Sequence, residues 1–414
     1  MKVIKGQILS AVSPEQTELL NCLVVDDAGY ICYAGKDLPE EYAALPQEDW
    51  GDRLILQSFA DMHLHAPQYP MLGLGMDMTL LDWLREYTFK YETFFADNDF
   101  ARACASRLAA ELAANGTTRV CMFSSMHTDA TLILMEELER AGICGAVGKV
   151  NMDRNGGENL QESTEESKRE TIRWLDACDR FKRVKPVLTP RFTPSCTDEL
   201  MAFLGKLAAE RGLFVQSHLS ETKDEIAWVR ELCPDCGQYW ESYEKFGLWR
   251  DHTVMAHCVH SDARERRAIR EANVLVAHCP DSNTNLCSGI APIKQMLREG
   301  VWVGLGSDIA GGAVLPMLGV MGEAIRVSKL RHIQTGEGFL TPSEAYYIAT
   351  SGGHIWFGDK PGFAVGNPLH AVVADDSDML MAKPLSPAER MERLIYRGKE
   401  QNLVAVYSGG LRIK

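Results

Sequence analysis

The 414-residue sequence predicts an α/β protein, a (β/α)8 TIM barrel with a small β-sandwich domain built from both chain ends. Two observations support this prediction. Eight short, β-branched, nearly continuous apolar runs alternate with helical patterns, as strands buried on both faces do. Strand-like runs with turns stand at both ends, and neither set could bury a core alone. We therefore expect a small β-domain of residues 1–53 and 361–414 around a barrel of residues 54–360.

The predicted barrel strands are apolar runs of similar length. They are Leu54 to His65, Thr117 to Phe123, Gly145 to Met152, Val184 to Thr189, Leu213 to His218, Thr253 to His257, Val274 to His278 and Val301 to Gly306. Helical patterns fit between them, and those over 100–115 and 197–211 end at Gly116 and Gly212, which are capping signals. After the barrel, the capping box from Thr341 to Glu344 predicts another helix start.

Composition limits the possible partners and the location. The net charge of −14 argues against nucleic acid or an anionic membrane surface as a partner. No apolar run resembles a signal peptide or reaches membrane-spanning length. The 12 cysteines are scattered, so we expect reduced thiols and a cytoplasmic location. Cys233 and Cys236 lack a second cysteine pair, which favours a loop over a zinc knuckle.

Two histidines end the first predicted barrel strand. His63 and His65 stand at i and i+2, so on a strand their side chains point to the same face. In this fold, functional side chains lie at the carboxyl ends of the strands. A pair of imidazoles suits zinc or another divalent metal of intermediate softness. Alone, the pattern is a weak signal.

Polar residues at other strand ends strengthen the metal prediction. His218 is the natural third ligand and Asp308 the natural fourth. Such a set leaves room for water, whose pKa falls towards neutrality on the metal. We expect His257 to hydrogen-bond the attacking water or the tetrahedral intermediate, with a core histidine as the alternative. The role of His278 stays open, and we do not assign it as a ligand.

Glu221 is the predicted acid–base group. It follows His218 by three residues, so its carboxylate can face the activated water and deliver a proton to a ring nitrogen or leaving group. The alternative is an acidic residue that opens a helix and is favoured by the helix dipole. Both interpretations can hold together.

These residues together resemble the amidohydrolase superfamily, and within it the guanine deaminase family. The motifs that support the resemblance are Asp61 to Tyr69, Leu81 to Phe89, Thr189 to Phe192, Ser217 to Glu221, Val254 to His257, Ala277 to Pro280 and Gly304 to Gly312. The likeness spans nearly the whole chain. It departs from the usual family pattern at Gln57-Ser58, where Pro-Gly is usual, and at Lys90, where proline is usual, so the lid is expected to differ in shape.

The resemblance implies a reaction and a set of site residues. The reaction is hydrolytic deamination of guanine to xanthine and ammonia through a zinc-activated water, with one zinc per chain and a homodimer. The implied zinc ligands are His63, His65, His218 and Asp308, and the implied catalytic residues are Glu221, His257 and Asp308. The implied guanine contacts are Gln68, Trp83, Arg191, Phe192 and His218. Trp83 has the alternative of a core aromatic on an amphipathic helix.

Two other functions remain as alternatives. One is deamination of another amino-heterocycle, such as 8-oxoguanine, a pterin or a triazine. The other is a metal-dependent binding or assembly protein without catalysis, against which the intact Glu221 and Asp308 argue. The deaminase fold with H-x-E and P-C-x-x-C motifs is excluded, because no histidine precedes a glutamate in that spacing and Leu232 precedes Cys233.

Overall fold

The computed structural model describes residues 1–157 and 160–414. The strands are β1 (Lys2–Ser13), β2 (Gln16–Val25), β3 (Ile31–Gly35), β4 (Gln47–Gln57), β5 (Phe59–His65), β6 (Thr117–Phe123), β7 (Cys144–Gly148), β8 (Val150–Asn151), β9 (Val184–Pro186), β10 (Thr189–Pro190), β11 (Gln216–Leu219), β12 (Val254–His257), β13 (Leu275–His278), β14 (Trp302–Leu305), β15 (Ala371–Ala374), β16 (Leu403–Ser408) and β17 (Leu411–Arg412). Most of the barrel strands are fully buried, as their apolar composition predicts.

The α-helices lie mainly between the barrel strands. They are α1 (Leu80–Trp83), α2 (Phe89–Glu92), α3 (Asn98–Ala114), α4 (Thr128–Arg140), α5 (Thr164–Ala177), α6 (Asp198–Arg211), α7 (Lys223–Leu232), α8 (Glu241–Glu244), α9 (Ala263–Glu271), α10 (Pro280–Asn285), α11 (Ile293–Arg298), α12 (Met317–Thr335), α13 (Pro342–Ala349), α14 (Ser351–His354) and α15 (Pro387–Arg397). The capping box predicted before α13 is present, since Glu344 N–H donates to Thr341 Oγ1 at 3.2 Å. Among the described helices, none combines the length and the apolar character needed to cross a membrane.

Eight parallel strands form the barrel. One sheet has the order β5-β6-β7-β9 and the other the order β11-β12-β13-β14. A bridge between Leu188 and Val215 joins the sheets on one side. On the other side, Asp308 N–H donates to His63 O at 2.8 Å and His65 N–H donates to Ile309 O at 3.0 Å. The predicted barrel is therefore confirmed, and its second junction brings Asp308 to the histidine pair.

The first predicted barrel strand is in fact two strands. Residues 54–57 belong to β4, which pairs with β1 and β15 in another sheet. At Ser58 the chain changes partners, because Ser58 N–H donates to His370 O at 3.1 Å whereas Phe59 N–H donates to Gly116 O at 2.9 Å. The prediction of one strand over 54–65 is thus wrong, since a continuous apolar run does not show which sheet it enters.

Both chain ends contribute to one seven-stranded sheet of order β17-β16-β15-β4-β1-β2-β3. Strands β4 and β15 pair through residues 54–57, which the sequence assigned to the barrel, and Ala371–Ala374. Tyr346 on α13 connects this sheet to the barrel, because its hydroxyl accepts from Gln57 N–H at 2.8 Å and donates to Leu9 O at 2.9 Å. The domain bounds at 53/54 and 360/361 stay a prediction.

Candidate metal and substrate site

Five candidate metal-binding or catalytic side chains meet at the carboxyl ends of the barrel strands. His63 and His65 come from β5, His218 from β11, His257 from β12, and Asp308 follows β14. All five are buried. His257 and Asp308 have positive φ values of 73° and 46°, which non-glycine residues rarely adopt. Such strain is typical of functional sites, where the surrounding structure holds a side chain in an imposed direction.

The polar atoms of these side chains converge. Asp308 Oδ1 lies 3.2 Å from His63 Nε2 and 3.4 Å from His65 Nε2. The Nε2 atoms of His65 and His218 are 3.2 Å apart. His257 Nε2 lies 3.8 Å from Asp308 Oδ2. The structure thus brings together all four predicted ligands and His257.

The unpaired nitrogens of this cluster fit a divalent metal. Among the described residues, neither buried ring nitrogen of His63 has a hydrogen-bond partner, although Nε2 lies 3.2 Å from Asp308 Oδ1. His218 Nδ1 lies 2.6 Å from the Arg191 carbonyl oxygen, which can only accept, so Nδ1 donates and Nε2 presents a lone pair. Burial lowers the pKa of His65 and His218 well below the usual range, so both rings are neutral, as metal ligands must be.

Among the described residues, two overlapping sets of three side chains have all their possible metal-ligand atoms within 4.8 Å of one another. One is His63, His218 and His257, and the other is His63, Cys279 and Asp308. Imidazole nitrogens with a carboxylate form the donor set of catalytic zinc sites. Cys279 was not predicted, because a cysteine after a strand that ends in histidine is not distinguishable in sequence from a core thiol.

Glu221 lies beside this cluster with its carboxylate held on both sides. Ser288 Oγ donates to Oε1 at 2.9 Å, and His257 Nε2 lies 3.4 Å from Oε2. Burial raises the pKa of the Glu221 carboxyl above its ordinary value. A carboxyl with a raised pKa can both take up and release a proton near neutrality.

The helix after Glu221 begins later than the sequence suggested. Helix α7 starts at Lys223, and Thr222 is its N-cap, paired with Glu225 in a capping box. Glu221 therefore precedes the helix and does not open it. Its own N–H donates to Glu225 Oε2 at 2.9 Å, which fixes the backbone that carries the carboxylate.

The orientation of His257 depends on Asn283, which the sequence did not single out. His257 Nδ1 lies 2.9 Å from Asn283 Oδ1. Because an amide oxygen only accepts, Nδ1 carries a hydrogen and Nε2 faces Glu221 and Asp308.

His278 is also buried at a strand end. Its Nδ1 has no hydrogen-bond partner among the described residues, and burial lowers the pKa of its ring to about 3. His278 does not line the pocket described next.

A pocket opens onto the cluster. Nine predicted site residues line it, namely His65, Gln68, Trp83, Arg191, Phe192, His218, Glu221, His257 and Asp308. Leu80, Leu84, Glu225 and Leu286 also line it and were not predicted. Of the predicted site residues, His63 lies behind the pocket wall.

Trp83 is buried in the core and also lines the pocket. Its ring lines the pocket, yet it is only 2% exposed and packs with Leu80, Leu286 and Ala310. Its indole Nε1 donates to the Leu74 carbonyl at 3.0 Å. Trp83 is therefore a core aromatic, as the alternative held, and its role as a guanine contact stays a prediction.

Glu92 was also missed, and it joins two of the predicted substrate contacts. Its carboxylate forms a bidentate pair with Arg191, at 2.6 Å from Nη1 to Oε2 and 2.9 Å from Nη2 to Oε1. Gln68 Nε2 donates to the same Oε1 at 3.0 Å. A glutamate in a helical segment gives no sequence signal for partners so distant along the chain.

Comparison with known proteins agrees with this site. The model of the amidohydrolase family matches residues 54–411. The chain is 34% identical to a guanine deaminase of Dictyostelium discoideum, with 100% of this chain and 98% of the relative covered. A crystal structure of guanine deaminase from C. acetobutylicum with bound guanine superposes with a TM-score of 0.97, at 40% identity over 100% of both chains. An adenosine deaminase from Xanthomonas campestris with bound zinc shares the fold, at 20% identity, with a TM-score of 0.85 over 99% of this chain and 92% of that one. The chain belongs to the amidohydrolase family, within its guanine deaminases.

Proposed function

We propose that this chain hydrolyses guanine to xanthine and ammonia. The observation that carries the proposal is that one pocket presents the Arg191 guanidinium, the Gln68 amide and the Glu221 carboxyl beside the histidine–aspartate cluster. The first two match the carbonyl and ring nitrogens of a purine, and the third matches the proton transfers of hydrolysis. The similarity to a guanine deaminase structure with bound guanine supports the same substrate.

The proposal includes one zinc ion per chain, with His63, His65, His218 and Asp308 as its ligands. When bound, zinc supplies Lewis acidity that lowers the pKa of a water molecule towards neutrality. The orphaned nitrogens of His63 and the facing Nε2 atoms of His65 and His218 support this ligand set. His257 then stays outside the set, because its Nε2 lies between two carboxylates, 3.4 Å from Glu221 Oε2 and 3.8 Å from Asp308 Oδ2.

The chain's own residues move the protons. Water adds to C2 of guanine as Glu221 takes up one of its protons and delivers that proton to N3. The proton of the new C2 hydroxyl then passes to the amino group, so the C2 carbonyl forms as the C2–N bond breaks and ammonia leaves. Asp308 Oδ2 and His257 Nε2 lie on the side of Glu221 and orient the water through hydrogen bonds. Pocket walls exclude bulk solvent, which strengthens each of these interactions.

Arg191 and Gln68, which line the pocket, orient the substrate. Arg191 donates to the carbonyl oxygen and N7 of guanine, since a guanidinium offers donors in a fixed fork. Gln68 contacts the adjacent ring edge. Phe192 and Trp83 line the pocket and cover the ring face.

We also propose a cytoplasmic homodimer. All 12 cysteines are free, which suits a reducing compartment. Helix α12 exposes Leu330 and Ile333, which are 51% and 77% exposed, as apolar surface for a second copy. Sedimentation of the purified protein would show a dimer, and a monomer at micromolar concentration would contradict this part.

An ammonia-release assay tests the proposed reaction. Purified protein with zinc is given guanine, 8-oxoguanine, a pterin and an aminotriazine in parallel. We expect kcat/KM for guanine to exceed the others by at least about tenfold, a difference of ~1.4 kcal/mol in transition-state binding. A higher value for another amino-heterocycle would move the assignment to that compound.

A further inference from the structure

The Glu92 carboxylate has two substrate-binding partners at once. It is 1% exposed and lies between Arg191, which it grips through two N–H groups, and Gln68. The Gln68 amide is held at its other end as well, because Ala310 N–H donates to Oε1 at 3.0 Å. Glu92 therefore fixes both side chains without lining the pocket itself.

This pairing decides which hydrogens remain for a ligand. Glu92 occupies one hydrogen on each terminal nitrogen of Arg191, and Nη1 also donates to Met152 Sδ at 3.9 Å. The Nε edge, with Nε–H and the second Nη2 hydrogen, stays available. The Gln68 amide cannot rotate by half a turn, since its oxygen would then face Glu92 and its nitrogen would face Ala310 N–H. Donors at the ring edge are thus set before any purine enters.

Glu92 also balances the charge of Arg191. Arg191 is 3% exposed, and its other neighbours are the Phe89 ring, at 5.2 Å from Cζ to the centroid, and Met152 Sδ, at 3.9 Å. Neither carries a charge. Lys149, which is also buried, pairs with a different carboxylate, Glu162, at 2.7 Å. Among the described residues, Glu92 is the carboxylate that pairs with Arg191.

We propose that Glu92 is a positioning residue that fixes Arg191 and Gln68 and, by neutralising the guanidinium, makes the pocket prefer a neutral purine to an anionic one. This inference rests on the proposed function. Guanine is neutral in mildly alkaline solution, whereas xanthine has lost a proton there. A neutralised Arg191 therefore favours binding of the substrate and release of the product.

The test compares two product-like inhibitors in mildly alkaline buffer, hypoxanthine, which is largely neutral, and xanthine, which is largely an anion. Their inhibition constants are measured for the wild type, Glu92→Gln and Glu92→Asp, with zinc content checked in each. In Glu92→Gln the ratio of the two constants should shift towards xanthine by at least about tenfold, because a buried guanidinium without its partner attracts an anion. In Glu92→Asp the charge is kept and the ratio should stay near that of the wild type, even if both compounds bind more weakly.

Two further variants separate charge from folding. Glu86→Gln is the matched control, because Glu86 lies on the same segment, is exposed and pairs only with Lys90 at 2.8 Å among the described contacts. It should leave the ratio unchanged. If Glu92→Gln does not fold, Arg191→Met replaces it, since that variant removes the cation instead. Alone, that variant leaves the Glu92 carboxylate without its cation, so the ratio should shift the other way, towards hypoxanthine.

The outcomes distinguish this inference from the proposed reaction. If the wild type releases no ammonia from guanine, the reaction itself is wrong. If the wild type is active but Glu92→Gln weakens both inhibitors equally, Glu92 has only a structural role and the inference is overturned. A shift towards xanthine in Glu92→Asp or in Arg191→Met would overturn it too, because neither variant leaves a lone guanidinium.

Discussion

Ser288 donates a hydrogen bond from its hydroxyl to Oε1 of Glu221 at 2.9 Å, across 67 positions of the chain. The other oxygen of Glu221 faces His257, and its backbone N–H is held by Glu225. Three separate parts of the barrel therefore determine where this carboxyl points. The arrangement holds the Glu221 carboxyl between His257 and the pocket. A group that takes up a proton and then delivers it needs such a fixed position.

Replacing Glu221 by glutamine tests its role in proton transfer. Glutamine keeps the size and polarity but cannot exchange a proton at neutral pH, so kcat should fall by at least about a hundredfold. Steady-state kinetics, zinc analysis and equilibrium binding of guanine are measured on one preparation. Zinc and guanine should still bind. Near-normal turnover would show that Asp308 or His257 moves the proton, and loss of zinc would make Glu221 a ligand.

Ser288→Ala should have a smaller effect of the same kind. The substitution removes one hydrogen bond to an ionisable group, which is worth ~1.5–3 kcal/mol, so kcat should fall by about tenfold with KM little changed. The control is the same substitution in Glu221→Gln, where a further fall is not expected because the proton-transfer group is already absent. Equal losses in both backgrounds would assign Ser288 a role apart from Glu221.

Arg191→Met tests substrate orientation. Without the guanidinium, the purine carbonyl loses a buried charged donor, at a cost of roughly 2–3 kcal/mol, so kcat/KM for guanine should fall more than about tenfold. Thermal unfolding of the same variant reports whether the now unpaired Glu92 destabilises the fold. A loss in kcat/KM under about threefold would contradict the proposed contact.

The ligand set is tested by metal content. Purified wild type should carry one zinc per chain by elemental analysis, and the His63→Ala/His65→Ala variant should carry none, because two of four ligands are missing. His278→Ala is the matched control, since His278 is equally buried at a strand end but has no partner in the cluster. Stoichiometric metal in the double variant, or its absence from the wild type, would contradict the assignment.

The free energy of unfolding should depend on pH through Glu265, whose buried carboxylate accepts a hydrogen bond from Ser220 Oγ at 3.1 Å. Burial raises the pKa of Glu265 to about 7 from an ordinary value of 4.5. The stability that the protonated form contributes is present below about 4.5 and is lost as the pH rises through about 7. Urea unfolding measured at several pH values should show that, as the pH rises over this range, the free energy of unfolding falls more for the wild type than for Glu265→Gln. Parallel profiles for the two proteins would contradict the shift.

Most of the barrel was predictable because its strands are buried on both faces. Such strands read as short β-branched runs, and the residues directly after them lie at the edge where this fold places its chemistry. That reasoning located His63, His65, His218, His257 and Asp308 without any structural information. The change of sheet at Ser58 was not predictable, because no glycine or proline separates residues 54–57 from Phe59–His65.

The residues that orient the site were the ones missed. Glu92, Asn283 and Ser288 act through hydrogen bonds to side chains far away in sequence. Each stands in a polar helical or loop segment where glutamate, asparagine and serine are common for local reasons such as capping and turns. Only the folded chain shows which of them face inward.

The pairing of β4 with β15 has a consequence for biosynthesis. Strand β4 leads through Ser58 directly into the histidine pair of β5, yet its hydrogen-bonding partner β15 is more than three hundred residues further along, at Ala371–Ala374. A ribosome therefore releases the strand that carries His63 and His65 long before it makes the strand that closes the edge of β4. This edge of β4 can therefore gain its native partner only after residue 374 has emerged.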